Sequence, residues 1–138
     1  MKIIRYLLFP FSWLYASAMS IRNRQYQRGS RPISAFDRMV ISVGNLSTGG
    51  TGKSPMIEYL IRLLKDRYAL ATISRGYGRK TRGTRIASKA DDSRSLGDEP
   101  FQFYRKFGNE ISVVVGEERI LAIPELLMEK PDTQVFLL

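Results

Sequence analysis

The segment MVISVGNLSTGGTGKSP (39–55) decides the architecture. Its first five residues are a short β-branched apolar run, suited to a strand buried on both faces. Glycines follow at Gly49, Gly50 and Gly52, and then Lys53 and Ser54 stand side by side. The next stretch, PMIEYLIRLLKD (55–66), carries Met56, Leu60, Leu63 and Leu64 at helical spacing, with Ile57 and Ile61 widening the stripe. Pro55 suits a first turn, where a backbone N–H has no intrahelical acceptor to lose. The segment therefore reads as strand, glycine-rich loop, helix.

The pattern continues outward from there. YALATIS (68–74), ISVVV (111–115) and TQVFLL (133–138) read as further strands. Between them, EPFQFYRKFG (99–108) reads as a helix, and EERILAIPELLMEK (117–130) as a helix interrupted at Pro124. Residues 76–97 are rich in Gly, Arg, Ser and Asp and read as long loops with a short strand at Thr84–Ala87. Strands alternating with helices imply an α/β domain built on a mostly parallel, doubly wound sheet. Residues 39–138 would form that domain and residues 1–38 a separate hydrophobic and basic segment.

Strand, glycine loop and helix together give the Lys-Ser pair a chemical meaning. The pattern G-x-x-x-x-G-K-[ST] asks for glycine at position 47, where this chain has Ser47. The chemistry survives that mismatch. Glycines let backbone N–H groups turn toward phosphate oxygens, and the helix N-terminus adds its dipole. Lys53 can reach the β- and γ-phosphates, and Ser54 can ligate Mg²⁺. Ser47, Thr48, Gly49, Gly50, Thr51, Gly52, Lys53 and Ser54 are thus the expected cradle for ATP with Mg²⁺, in a P-loop NTPase-like fold.

Composition narrows the partners. Lys and Arg number 22 against 13 acidic residues, a net charge of +9 that favours an anionic partner. The excess is concentrated in residues 1–38 and 75–94, while residues 95–138 are net acidic. No nucleic-acid module is visible, and no nucleic-acid partner is expected. The chain has neither cysteine nor histidine, so disulfides, thiolate chemistry and the usual zinc sites are excluded within it. A general base near neutral pH must then be a carboxylate.

The N-terminus, MKIIRYLLFPFSWLYASAMSIRNRQYQRGSRP, is apolar from Ile3 to Met19 but broken by Arg5, Pro10, Ser12 and Ser17, which argues against a transmembrane span. Tyr6, Trp13 and Tyr15, followed by Arg22, Arg24 and Arg28, suit a helix lying in the headgroup region of an anionic membrane surface. A packed helix of an α/β domain is the alternative.

Four stretches in order, SVGNLSTGGTGKSP (42–55), SRGYGR (74–79), GDEP (97–100) and VVVGEER (113–119), give the chain its resemblance to tetraacyldisaccharide 4'-kinase, the lipid A 4'-kinase family. That family transfers the γ-phosphoryl of ATP to the 4'-hydroxyl of a tetraacyldisaccharide 1-phosphate lipid. The resemblance implies a peripheral or monotopic enzyme at the cytoplasmic face of the inner membrane. It makes Asp98 the candidate base, with Glu99 assisting through the metal or by orienting its neighbour; an N-cap is the plainer role for Asp98. Arg75, Arg79 and Arg119 become candidate phosphate ligands, of ATP or of the lipid's 1-position, against the alternative of a solvated basic face.

After the strand resembled by TQVFLL, the family continues with D-D-x-F-Q-H-R, whose aspartates hold metal. Here Leu138 is the last residue. The chain is therefore expected to be a truncated P-loop domain, inactive alone or completed by a missing C-terminal chain. The loop also resembles the variant K-G-G-x-G-K-[ST] of ParA and MinD type ATPases, with Thr48 in place of their lysine. A noncatalytic, membrane-associated nucleotide-binding module is accordingly the second reading.

Overall fold

Apolar runs with no polar alternation must be covered on both sides, and the computed structural model covers Leu70–Ser74, Ser112–Val115 and Val135–Leu137 in this way. The strand expected at 39–43 spans only Met39–Ile41 and, as an edge strand, leaves Met39 and Val40 exposed. The structure describes residues 2–30, 34–44 and 52–138, with the backbone alone for 2–8. Strands β1 (Met39–Ile41), β2 (Leu70–Ser74), β3 (Arg85–Ile86), β4 (Ser112–Val115) and β5 (Val135–Leu137) form one five-stranded sheet, ordered β1-β5-β2-β4-β3. The last strand inserts between the first two: β5 sets Val135 beside Met39 on one side and beside Leu70 on the other, both in parallel. β2 and β4 pair in parallel from Ala71↔Ser112 to Ser74↔Val115. β3 closes the edge in antiparallel fashion, so the sheet is mostly parallel, as expected.

Alternation along the strands divides the core between two faces. Leu70, Val113, Val135 and Leu137 cluster with Ile61 of helix α2 (Lys53–Leu64) and with Phe103 and Phe107 of α4 (Asp98–Phe107). Ala71, Ile73, Val114 and Phe136 cluster instead with Ala122, Ile123 and Leu126 of α5 (Arg119–Glu129). Each large side chain so buried stabilises the fold by about 1.5–3 kcal/mol.

Local differences from the sequence reading have local causes. α2 starts at Lys53, ahead of Pro55, because Gly52 turns the chain in a left-handed conformation and its carbonyl accepts the first helical bond, from Met56 N–H. α5 runs unbroken through Pro124, held against the sheet by Ala122, Ile123 and Leu126, which are buried on either side of the proline. The expected loop region 76–97 contains the short helix α3 (Ser93–Leu96). A capping box starts it: Asp92 Oδ1 accepts from Ser95 N–H, and Ser95 Oγ accepts from Asp92 N–H.

Helix α1 (Lys2–Gln27) belongs to a compact unit of its own, Met1–Ala35, with Phe36–Leu138 forming the other. It continues through Pro10 and exposes Phe9, Phe11, Trp13, Leu14 and Tyr15. Among the described residues, no helix is long and apolar enough to cross a membrane.

Candidate functional site

Loops that leave the carboxyl ends of parallel strands converge above the sheet, and an α/β fold places its ligands there. Val43 beyond β1, Ser74 of β2 and Leu137 of β5 line one wall of a cavity of ≈ 730 Å³ at that end. Lys53 and Ser54 enter it from the first turn of α2, Asp98 and Glu99 from the first turn of α4.

The two helix starts meet directly. Ser54 Oγ donates a hydrogen bond to Glu99 Oε1, joining residues 45 positions apart in sequence. Asp98 is the first residue of α4, and its N-cap is Gly97, which has no side-chain cap hydrogen bond. Asp98 is therefore not the cap that its neighbours Glu99 and Pro100 suggested. Its carboxylate stands in the first turn, where the helix dipole favours negative charge.

Of the three arginines expected on phosphates, two line this cavity: Arg75, directly after β2, and Arg119, the first residue of α5. Arg79 is set apart from them. Its side chain is 3% exposed, its Nη2 lies 2.8 Å from Glu117 Oε1, and it does not contribute to the cavity lining. Glu117 is held below the usual carboxylate range by a hydrogen bond from its own backbone N–H and then by Arg79. Gly52 caps the start of α2, whereas Ser47, Thr48, Gly49, Gly50 and Thr51 lie outside the described residues.

Sequence reasoning missed three contributors. Ser74 lines the cavity with a buried Oγ that has no hydrogen-bond partner among the described residues. Tyr77, 97% exposed, also lines it, and an aromatic between two glycines was the available signal. Glu117, within VVVGEER but outside the cavity lining, acts only through Arg79, and that pairing gave no signal because the two are distant in the chain.

Among the described residues there is no group of three or more His, Cys, Asp or Glu side chains that could hold a metal ion. The cavity instead offers the Ser54 hydroxyl in contact with the Glu99 carboxylate, and Asp98 beside them. These hard oxygen donors fit Mg²⁺, which takes one or two carboxylates and fills its other positions with water and substrate phosphate.

Comparison with known proteins gives a consistent result. A family model described as tetraacyldisaccharide-1-P 4'-kinase matches residues 4–138. The tetraacyldisaccharide 4'-kinase of Flavobacterium johnsoniae is 49% identical over 138 residues, covering 100% of this chain and 40% of the relative. That of Cytophaga hutchinsonii is 38% identical, with 100% of this chain and 39% of the relative covered. Among solved structures, the "apo" form of LpxK from Aquifex aeolicus in complex with ATP matches with a TM-score of 0.78 and 39% identity, over 97% of this chain and 43% of that one. This chain thus spans about 40% of the length of the curated relatives it matches. It belongs to the tetraacyldisaccharide 4'-kinase family.

Proposed function

We propose that this chain supplies the ATP-binding half of the site of a kinase that phosphorylates the 4'-hydroxyl of tetraacyldisaccharide 1-phosphate. One observation carries the reading: Lys53 and Ser54 of α2 share a cavity with Asp98 and Glu99 of α4 at the carboxyl end of a parallel sheet. Phosphoryl transfer needs charge stabilisation, a metal and a base for the attacking hydroxyl; Lys53 answers the first, Ser54 with Glu99 the second and Asp98 the third.

Lys53 neutralises charge on the transferring γ-phosphoryl. Asp98 accepts the proton of the 4'-hydroxyl as its oxygen bonds to the γ-phosphorus, while the bond from that phosphorus to the β-bridging oxygen breaks and ADP leaves. Ser54 and Glu99 would hold Mg²⁺; when bound, the ion neutralises charge on the β- and γ-phosphates. Arg75 and Arg119 pair with phosphate oxygens of ATP or of the lipid's 1-position.

The lipid end of the reaction draws in α1. Its exposed Phe9, Phe11 and Trp13, followed by Arg22, Arg24 and Arg28, suit the boundary of an anionic membrane, and we assign the protein to the cytoplasmic face of the inner membrane.

The assay uses ATP, Mg²⁺ and tetraacyldisaccharide 1-phosphate in detergent, with this chain and with this chain joined to the remaining portion of the Flavobacterium johnsoniae relative. Transfer is expected from the joined protein. Lys53→Ala should lower it by about a hundredfold or more, since charge stabilisation at the transferring group is lost. Undiminished turnover in that variant would refute the assignment.

A further inference from the structure

The function proposed above leaves unused the more deeply placed cation of the SRGYGR motif, Arg79. It does not reach out to a ligand. Its Nη2 donates to Gly83 O at 2.5 Å and pairs with Glu117 Oε1 at 2.8 Å. Gly83 N–H in turn donates to Glu117 Oε2 at 3.0 Å, so one carboxylate grips both ends of the turn between residues 79 and 83. Arg79 Nε and Nη1 are buried without a hydrogen-bond partner among the described residues. A guanidinium buried with donors unmet is costly, which leaves Glu117 as the group that compensates its charge.

The same loop presses on the segment that carries Asp98. Gly76 and Gly97 both have positive φ, 66° and 92°, and their backbones are in contact. A Cβ on Gly76 would lie 2.6 Å from Leu96 O, and one on Gly97 would lie 2.9 Å from Tyr77 O. No side chain other than hydrogen fits at either position without moving a backbone. Two more bonds fasten the loop to the end of α3: Lys80 N–H to Arg94 O at 2.7 Å and Thr81 Oγ1 to Ser95 O at 2.5 Å. Residues 75–83 therefore touch the residue before Asp98 on one side. On the other, through Arg79 and Glu117, they reach the turn that precedes Arg119.

We infer that Arg79 and Glu117 form a positioning clamp, which sets the Arg75–Tyr77 and Gly116–Arg119 turns against Asp98 without itself touching ATP or lipid. The clamp rests on the kinase reading, because that reading makes the positioned side chains functional. Its effect on rate follows from geometry, since a misplacement of about 1 Å at a reacting centre can cost about a hundredfold. The first turn of α2, which carries Lys53 and Ser54, is not part of the clamp, so ATP affinity should respond to it only through Arg75 and Arg119 and less than the rate does.

The test compares Arg79→Lys, Arg79→Met, Glu117→Gln and the Arg79→Met/Glu117→Gln pair in this chain by backbone amide NMR. Each single variant should move the resonances of Arg75–Tyr77, Gly97–Glu99 and Gly116–Arg119 together, Arg79→Lys the least, while Met56–Leu64 of α2 stay in place. The pair should move them no further than Arg79→Met alone. Shifts confined to residues beside positions 79, 83 and 117 would overturn the clamp. Glu117 is the more exposed partner, with 54% of its side chain accessible, so Glu117→Gln keeps the test open if the Arg79 variants unfold.

In the transfer assay, Glu117→Gln should lower kcat about tenfold and change KM for ATP by less than that. An unchanged kcat, or a KM for ATP raised by more than kcat is lowered, would contradict positioning. The two readings fail separately, because Lys53→Ala decides the kinase assignment while the amide shifts decide the clamp whether or not phosphate is transferred.

Discussion

Asp91 and Asp98 lie in adjoining segments and face opposite surroundings. The Asp91 side chain is 1% exposed and accepts from Arg85 Nε at 2.5 Å, from Ser88 N–H and Oγ at 2.9 Å and from Ser95 Oγ at 2.8 Å. Burial pushes its carboxyl up, but the bonds from Ser95, Arg85 and Ser88 outweigh burial and hold it below the ordinary carboxylate range. Asp98 is exposed and faces the cavity that Lys53 and Ser54 also line. A saturated, buried carboxylate is committed to tying β3 to α3. An exposed one, at a helix start in front of a cavity, is available to a proton.

The contrast predicts opposite responses to the same substitution. Asp98→Asn in the transfer-competent protein should lower kcat by about a hundredfold to ten-thousandfold, raise KM for ATP much less, and leave the melting temperature nearly unchanged. Lost stability with normal turnover per folded molecule would give Asp98 a structural role instead.

Asp91→Asn should do the reverse. Denaturant unfolding should show a loss of about 2–4 kcal/mol, with turnover per folded molecule retained, because Arg85 and two serines lose a charged acceptor. The sign of the pH dependence follows from the lowered pKa. Asp91 contributes fully above the unfolded carboxylate value of about 3.9 and loses its contribution as pH falls through the lower folded value. The gap in stability between native chain and variant should therefore be wide at neutral pH and close in acid.

How much of this was legible in the sequence depended on range. The strands near residues 39, 70, 112 and 135 were visible because runs such as ISVVV and TQVFLL have no polar face to show. Lys53, Ser54, Asp98 and Glu99 were visible because compact motifs carry them. The insertion of β5 between β1 and β2 was not, since strand order is fixed by contacts between distant segments. The separate fates of Arg75 and Arg79 were hidden for the same reason, as nothing near SRGYGR announces Glu117. α3 escaped because four residues are too few to display a period; its capping residues, Asp92 and Ser95, look like loop composition until their bonds are seen.

Aromatic residues extend the contrast at smaller scale. Phe103 and Phe136 are 2% and 0% exposed, whereas Phe9, Phe11 and Trp13 of α1 are 72%, 66% and 71% exposed. Replacing those three by serine should weaken sedimentation with anionic vesicles by about tenfold, and raised salt should release the native chain only in part, because apolar insertion is not screened. Complete release at modest salt would assign the binding to the arginines alone.

The claim on which the rest depends is that the cavity at the carboxyl end of the sheet receives the triphosphate. A structure of this chain with a non-hydrolysable ATP analogue and Mg²⁺ tests it most directly. The phosphates should lie against Lys53 and Ser54, within reach of Glu99, with Arg79 still paired to Glu117. Nucleotide seated instead in the cavity of ≈ 370 Å³ bounded by Ser112 and Lys130 at the opposite end of the strands, with Lys53 away from phosphate, would contradict the account.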